Sequence, residues 1–213
     1  LSKPSNSLQE RGYHVLVFMA SQTAGNSDDV IEEILDYQVD GFVVASVAMS
    51  SDITTRCQAA GVPVVLFNRS QDIDHISSVT SDNYAGGRKV ADFLIAGGHT
   101  RFGYIAGWEG ASTQRDREAG FRDGLAAAGF DLFDRGKGEF DVDHAKRAAR
   151  EMFDKPDDQR PDCVFVANDH MAIAVMDTLR FELGLSIPQD VSVAGFDDVP
   201  PARWLAYDLT TVA

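Results

Sequence analysis

The 213 residues carry 33 acidic against 19 basic side chains, a formal net charge of −14, and are 44% hydrophobic and 24% charged. This is the composition of an ordinary globular chain, long enough for one large α/β domain or two lobes of about 100 residues each. So acidic a stretch does not itself hold nucleic acid or an anionic membrane surface, and no apolar run approaches the roughly 20 residues that a membrane span needs.

Short β-rich runs alternate with helical stretches along the chain. Strands are predicted over 13–20 (YHVLVFMA), 40–46 (DGFVVAS), 62–68 (VPVVLFN), 76–81 (ISSVTS), 102–107 (FGYIAG), 162–167 (DCVFVA) and 190–196 (DVSVAGF). Most are apolar on both faces, as in strands of a parallel sheet covered by helices on each side. Helices are predicted near 28–38, 51–60, 83–96, 113–128, 142–154 and 169–184. Gly12, Gly61, Gly129 and Gly184 each precede an apolar residue, the pattern of a left-handed C-terminal cap whose next residue packs back on the helix. The recurring strand, helix, glycine order means a doubly wound α/β architecture. A helix fragment at 5–11 with no strand ahead of it, and a final DLTTVA that starts a strand and stops, predict a fold truncated at both ends.

Catalytic motifs are missing. There is no glycine-rich phosphate loop ending in Lys-Ser/Thr and no G-x-S-x-G elbow. GKGEFD at 136–141 lacks the third glycine of a dinucleotide loop and reads as a surface turn. The five histidines have no zinc-binding spacing, and DVDH at 141–144 and DKPDDQ at 154–159 lack the ligand alternation of a calcium loop. Cys57 and Cys163 form neither a disulfide framework nor a metal pair and read as reduced thiols. No enzyme activity, cofactor or metal is therefore expected.

What remains is a set of polar groups just after strands: Asn68 and Arg69, Asn168 and Asp169, Asp197 and Asp198, with Arg115 opening the helix that follows FGYIAG. Ligands of parallel α/β sheets bind beyond the carboxyl ends of strands. Amides, carboxylates and a guanidinium there suit bidentate bonding to sugar hydroxyls or to a small carboxylate or amide. Asp82 and Asp169 also read as helix caps, and Asp198 with Pro200 as a turn. Arg115 is harder to read as structural, because a cation in a first helical turn opposes the dipole.

VDGFVV, VPVVLFNR, VTSDNYAGGRKVADFLIAGGHTRFGYIAG, ANDHMAIAVMDTLR and IPQDVSVAGFDDVPPARWLAYDLTTV together closely resemble the effector-binding core of the LacI/GalR family of bacterial transcription regulators. The resemblance implies a periplasmic-binding-protein-like fold of type I: two Rossmann-like lobes joined by three crossover strands, with a small ligand held between them. Residues 1–80 would form the N-terminal lobe, 81–211 the C-terminal lobe, and 212–213 the start of a return to the first. Implied effector contacts are Asn68, Arg115, Asn168 and Asp197, with Phe140 supplying an aromatic face. The implied whole is a cytoplasmic homodimeric regulator, a repressor first of all, with no membrane partner. It binds a small polar effector, a sugar before other metabolites, and operator DNA through a helix-turn-helix headpiece not in this chain. The alternative is an extracytoplasmic sugar-binding protein of a transport system. Three finer expectations follow: Asn168 turns its amide into the crevice while Asp169 caps the next helix, Arg115 pairs with Asp197, and Ile53, Cys57 and Ala60 form an apolar stripe for self-association.

Overall fold

The computed structural model describes residues 2–18, 33–34, 37–46, 51–69 and 76–213. The chain divides into two compact units, Leu1–Val79 and Thr80–Ala213, each containing its own parallel sheet.

The first unit comprises α1 (Ser2–Glu10), β1 (Phe42–Ala45), α2 (Ser51–Ala59), β2 (Val64–Phe67) and β3 (Ser77–Val79). Its strands run in the order β1-β2-β3, with Phe42 opposite Val64 and Val65 opposite Ser77. Ile34, Phe42, Cys57 and Leu66 make its core. Cys57 therefore faces inward and Ala60 is exposed, so these two do not share the self-association stripe expected on α2; the Ile53 side chain lies outside the described residues. The strand expected at 13–20 does not form over 13–18, where no strand partner is described, and 19–20 lie outside the described residues. Of the helix expected over 28–38, residues 33–34 are helical and Tyr37 is a turn; 28–32 and 35–36 lie outside the described residues.

The second unit comprises α3 (Asn83–Ala96), β4 (Phe102–Ala106), α4 (Ser112–Ala127), β5 (Leu132–Lys137), α5 (Val142–Phe153), β6 (Cys163–Val166), α6 (Asp169–Asp177), β7 (Ser192–Phe196) and β8 (Thr210–Val212), with a π-helical turn Thr178–Glu182 continuing α6. The order is β5-β4-β6-β7-β8, all parallel. Strands β4 and β6 are buried at every position, which is why both are apolar without alternation. Tyr104, Phe121 and Phe165 pack ring on ring between sheet and α4, with centroids 5.2–5.9 Å apart. The four cap glycines take φ of 86° (Gly12), 71° (Gly61), 82° (Gly129) and 68° (Gly184), as their sequence context predicts.

Strand β5 is an edge strand that the apolar pattern does not reveal. LFDRGK carries only two large apolar residues, and its end, Gly136 and Lys137, belongs to the stretch read as a surface turn; the chain turns only at Gly138–Asp141. Val212 lies in β8 against Phe196, so it belongs to the second sheet. From β4 the chain goes outward to β5 and then crosses back past β4 to β6, making the boundary between β4 and β6 the topological switch point. The connections diverge there and leave a crevice beyond the carboxyl ends.

Candidate functional site

Four of the residues picked out by sequence share an unusual backbone. Asn68 after β2, Phe140 after β5 and Asp197 and Asp198 after β7 have φ of 66°, 57°, 108° and 48°. A non-glycine residue held there costs about 1–3 kcal/mol, and such positions concentrate at functional sites. In each case the chain leaves its strand by a sharp turn that presents the side chain at the carboxyl end.

At the switch point the central group is Arg117 of α4, 4% exposed. Its Nε donates to Asn83 Oδ1 (2.8 Å), Nη1 to the Ala167 carbonyl that ends β6, and Nη2 to Asp197 Oδ1 (3.0 Å). The guanidinium lies 3.7 Å from the centre of the Phe196 ring, a desolvated cation–π stack. Asn83 is held in turn by its own amide, which donates to Thr80 Oγ1 and the Ser81 carbonyl. Burial pushes the Arg117 guanidinium down and the Asp197 carboxyl up, and each partner's charge opposes the shift of the other.

Asp197 thus pairs with Arg117, and Arg115 takes no part in that pair. Two residues along a helix turn the side chain by about 200°, so Arg115 stands exposed on the opposite face of α4. A helical signal for Arg117 is present in the sequence: it shares the buried face with Phe121 and Leu125, one and two turns on.

The cap of α6 is Asn168 and not, as expected, Asp169. Asn168 Oδ1 caps α6 by accepting the Met171 amide at 3.0 Å, which leaves Nδ2 as its donor group. Asp169 is wholly buried and accepts the Val199 amide (3.0 Å) and the Thr211 hydroxyl (2.6 Å). Its carboxylate needs Gly195 beneath it, since a Cβ there would lie 2.2 Å from Oδ1. Phe140, half-buried, fills the space that a side chain at Gly107 would require, so its ring lines the end of β4.

Behind the site, Gln114 Oε1 accepts the Tyr104 hydroxyl (2.9 Å) and the Gly107 amide (2.7 Å), pinning α4 to the end of β4. Gln114 then donates to Glu118, which Arg135 of β5 grips through two nitrogens at 2.8 Å each. In the first unit, Asn68 donates to Ser46 Oγ at 3.2 Å, linking the turns after β1 and β2, and Arg69 beside it is buried. Arg117 does not stand out as a motif, because its partners lie 34, 50 and 80 residues away.

His99, Asp162 and Cys163 could be taken for a metal site, with ligand atoms within 4.8 Å of one another. The Asp162 oxygens already accept the Thr100 amide and hydroxyl and the Arg101 amide, and burial pushes the Cys163 thiol up, keeping it protonated. The cluster is a loop latch at the amino ends of β4 and β6. At the carboxyl edge, the second Asp197 oxygen and two Arg117 N–H groups, none with a partner among the described residues, the Asn168 amide and the Phe140 ring offer what a hydroxylated ring needs: donors, an acceptor and an apolar face.

Residues 91–213 match the periplasmic binding protein-like domain family. The chain is 32% identical over 210 residues to the HTH-type transcriptional regulator CelR of Thermobifida fusca, covering 96% of this chain and 60% of that protein. It is 30% identical over 209 residues to the ribose operon repressor of Escherichia coli, covering 95% and 62%. Among solved structures it resembles a periplasmic binding protein/LacI transcriptional regulator from Alkaliphilus metalliredigens complexed with D-xylulofuranose, with TM-score 0.85, 26% identity and coverage of 99% and 76%. The chain spans about three fifths of the length of these curated relatives.

Proposed function

Because the chain belongs to the periplasmic-binding-protein-like family in its LacI/GalR regulator form, we propose that it is the sensing core of a transcriptional repressor. It takes a small sugar at the carboxyl edge of its second sheet and so controls operator DNA held by a helix-turn-helix headpiece. The observation that carries this reading is the Arg117–Asp197 pair at the β4/β6 switch point, a buried guanidinium with an acceptor that keeps 39% of its side chain exposed. Asp197, Arg117 in place of Arg115, Asn168 and Phe140, all of the second unit, would contact the effector. The protein works by binding and not by turnover: these groups include no nucleophile beside a base.

The effector shifts the regulator between two states by no more than its difference in affinity for them. The DNA partner makes the cytoplasm the place of action, and the repressor relatives weigh against a transport binding protein. The regulator is a homodimer. What supports this is apolar surface on the second unit: Phe181 is 81% exposed and Leu205 100%, and Arg180 bonds the Ala206 carbonyl, joining the two segments that carry them. A thermal-shift screen of sugars, polyols and nucleobases tests the reading. A true effector at 100 times its Kd adds about 2.7 kcal/mol of stability; nucleobases raising the Tm where no sugar does would overturn it.

A further inference from the structure

We propose that the site takes an uncharged, hydroxyl-rich sugar and turns away its phosphorylated and carboxylate-bearing counterparts, and that Asp197 sets this choice by cancelling the charge of Arg117. The inference rests on the sugar-sensing reading above and narrows it.

An anion entering this edge needs a cation not already matched. Arg117 is matched by Asp197 at 3.0 Å and spends three of its five N–H groups on Asn83, Ala167 and Asp197. Arg203 is bonded to Asp198, and Arg135 and Lys137 at the end of β5 pair with Glu109, Arg135 with Glu118 as well. Arg115 faces away on the far side of α4. Among the described residues near the crevice, the carboxylates Asp169, Asp197 and Asp198 therefore stand against the guanidiniums Arg117 and Arg203, with the His170 imidazole close enough for its charge to act on Asp197. Asp169 and Asp197 are close enough for the charge of Asp197 to add to the upward push on Asp169. A further anion placed there meets like charge in a partly desolvated setting, and the chain's net −14 opposes its approach.

A hydroxyl group has no such difficulty. It can accept from a spare Arg117 N–H while donating to the second Asp197 oxygen, and a neighbouring hydroxyl can accept from Asn168 Nδ2. A phosphate or carboxylate at neutral pH offers only acceptors, leaving Asp197 without a donor. Selection of this kind comes from a repulsive element as much as from an attractive one.

The test is calorimetric titration of the intact protein with matched probes: glucose against glucose 6-phosphate and glucuronate, and ribose against ribose 5-phosphate, each also run in thermal shift. The sugar that binds should do so at least ten-fold more tightly than its charged counterparts. In Asp197→Asn, which keeps the shape and leaves Arg117 uncompensated, the neutral sugar should weaken and the preference should fall to parity or invert. Equal affinity for a sugar and its charged counterpart in the unaltered protein would overturn the proposal, whatever the variant does. A preference unchanged in a folded Asp197→Asn protein would remove Asp197 from the role. If no probe, charged or neutral, raises the Tm, the sugar-sensing reading itself falls and this inference with it.

Discussion

Arg115 and Arg117 differ by two positions and by everything that matters for binding. Replacing Arg117 with Lys keeps the charge but loses the fork that reaches Asn83, Ala167 and Asp197 at once. Effector affinity should fall by about 2–3 kcal/mol, roughly 30- to 150-fold, measured by calorimetry. The same substitution at exposed Arg115 should leave affinity within about 2-fold, since surface changes usually stay within about 0.5 kcal/mol. Equal losses at both positions would return Arg115 to the site. Asn168 and Asp169 make the same point: both are polar groups at one strand end, and which of them caps the helix is decided by where Val199 and Thr211 arrive.

Asp169 also shows how the elements of the second unit hold one another. Its buried carboxylate ties the start of α6 to β8 through Thr211 and to the turn after β7 through Val199. Asp169→Ala leaves a buried amide and hydroxyl without an acceptor and should cost about 2–4 kcal/mol by urea denaturation. At the other end of the strands Asp162 latches the loop before β4. Burial works to raise its carboxyl, but the Thr100 and Arg101 amides and nearby His99 prevail and hold it below the ordinary value. Its contribution is thus fully present above about pH 4, the unfolded value, and is lost as pH falls through the lower native value. Asp162→Asn should accordingly flatten the acid limb of the stability profile while shifting the neutral plateau down. An acid limb of unchanged steepness would show that other carboxylates carry it.

For the whole molecule the open surface is the decisive feature. Phe181, Trp204 and Leu205 stand more than half exposed on the second unit, and a second copy of the chain is the occupant proposed above. Sedimentation of the intact protein at micromolar concentration should give a dimer, and Leu205→Asp should shift it toward monomer with the Tm of the second unit little changed. A monomeric parent, or a variant as dimeric as the parent, would move the interface elsewhere.

Sequence alone determined the doubly wound α/β class, six of the eight strands among the described residues and the start of a seventh, the helices of the second unit and the four cap glycines, because each depends on period, propensity or φ within about a dozen residues. It also marked the strand ends as the place for chemistry, since parallel sheets bind there whatever their strand order. Edge strand β5 was not legible, for an edge needs no continuous apolar run. Nor was the positive φ of Phe140, which no aromatic residue advertises. Only the tertiary structure decided that Asp197 meets Arg117, 80 residues away. That pairing requires β6 and β7 to lie side by side with α4 turned so that Arg117, and not Arg115, faces them, and a strand order is a long-range choice that local pattern does not encode.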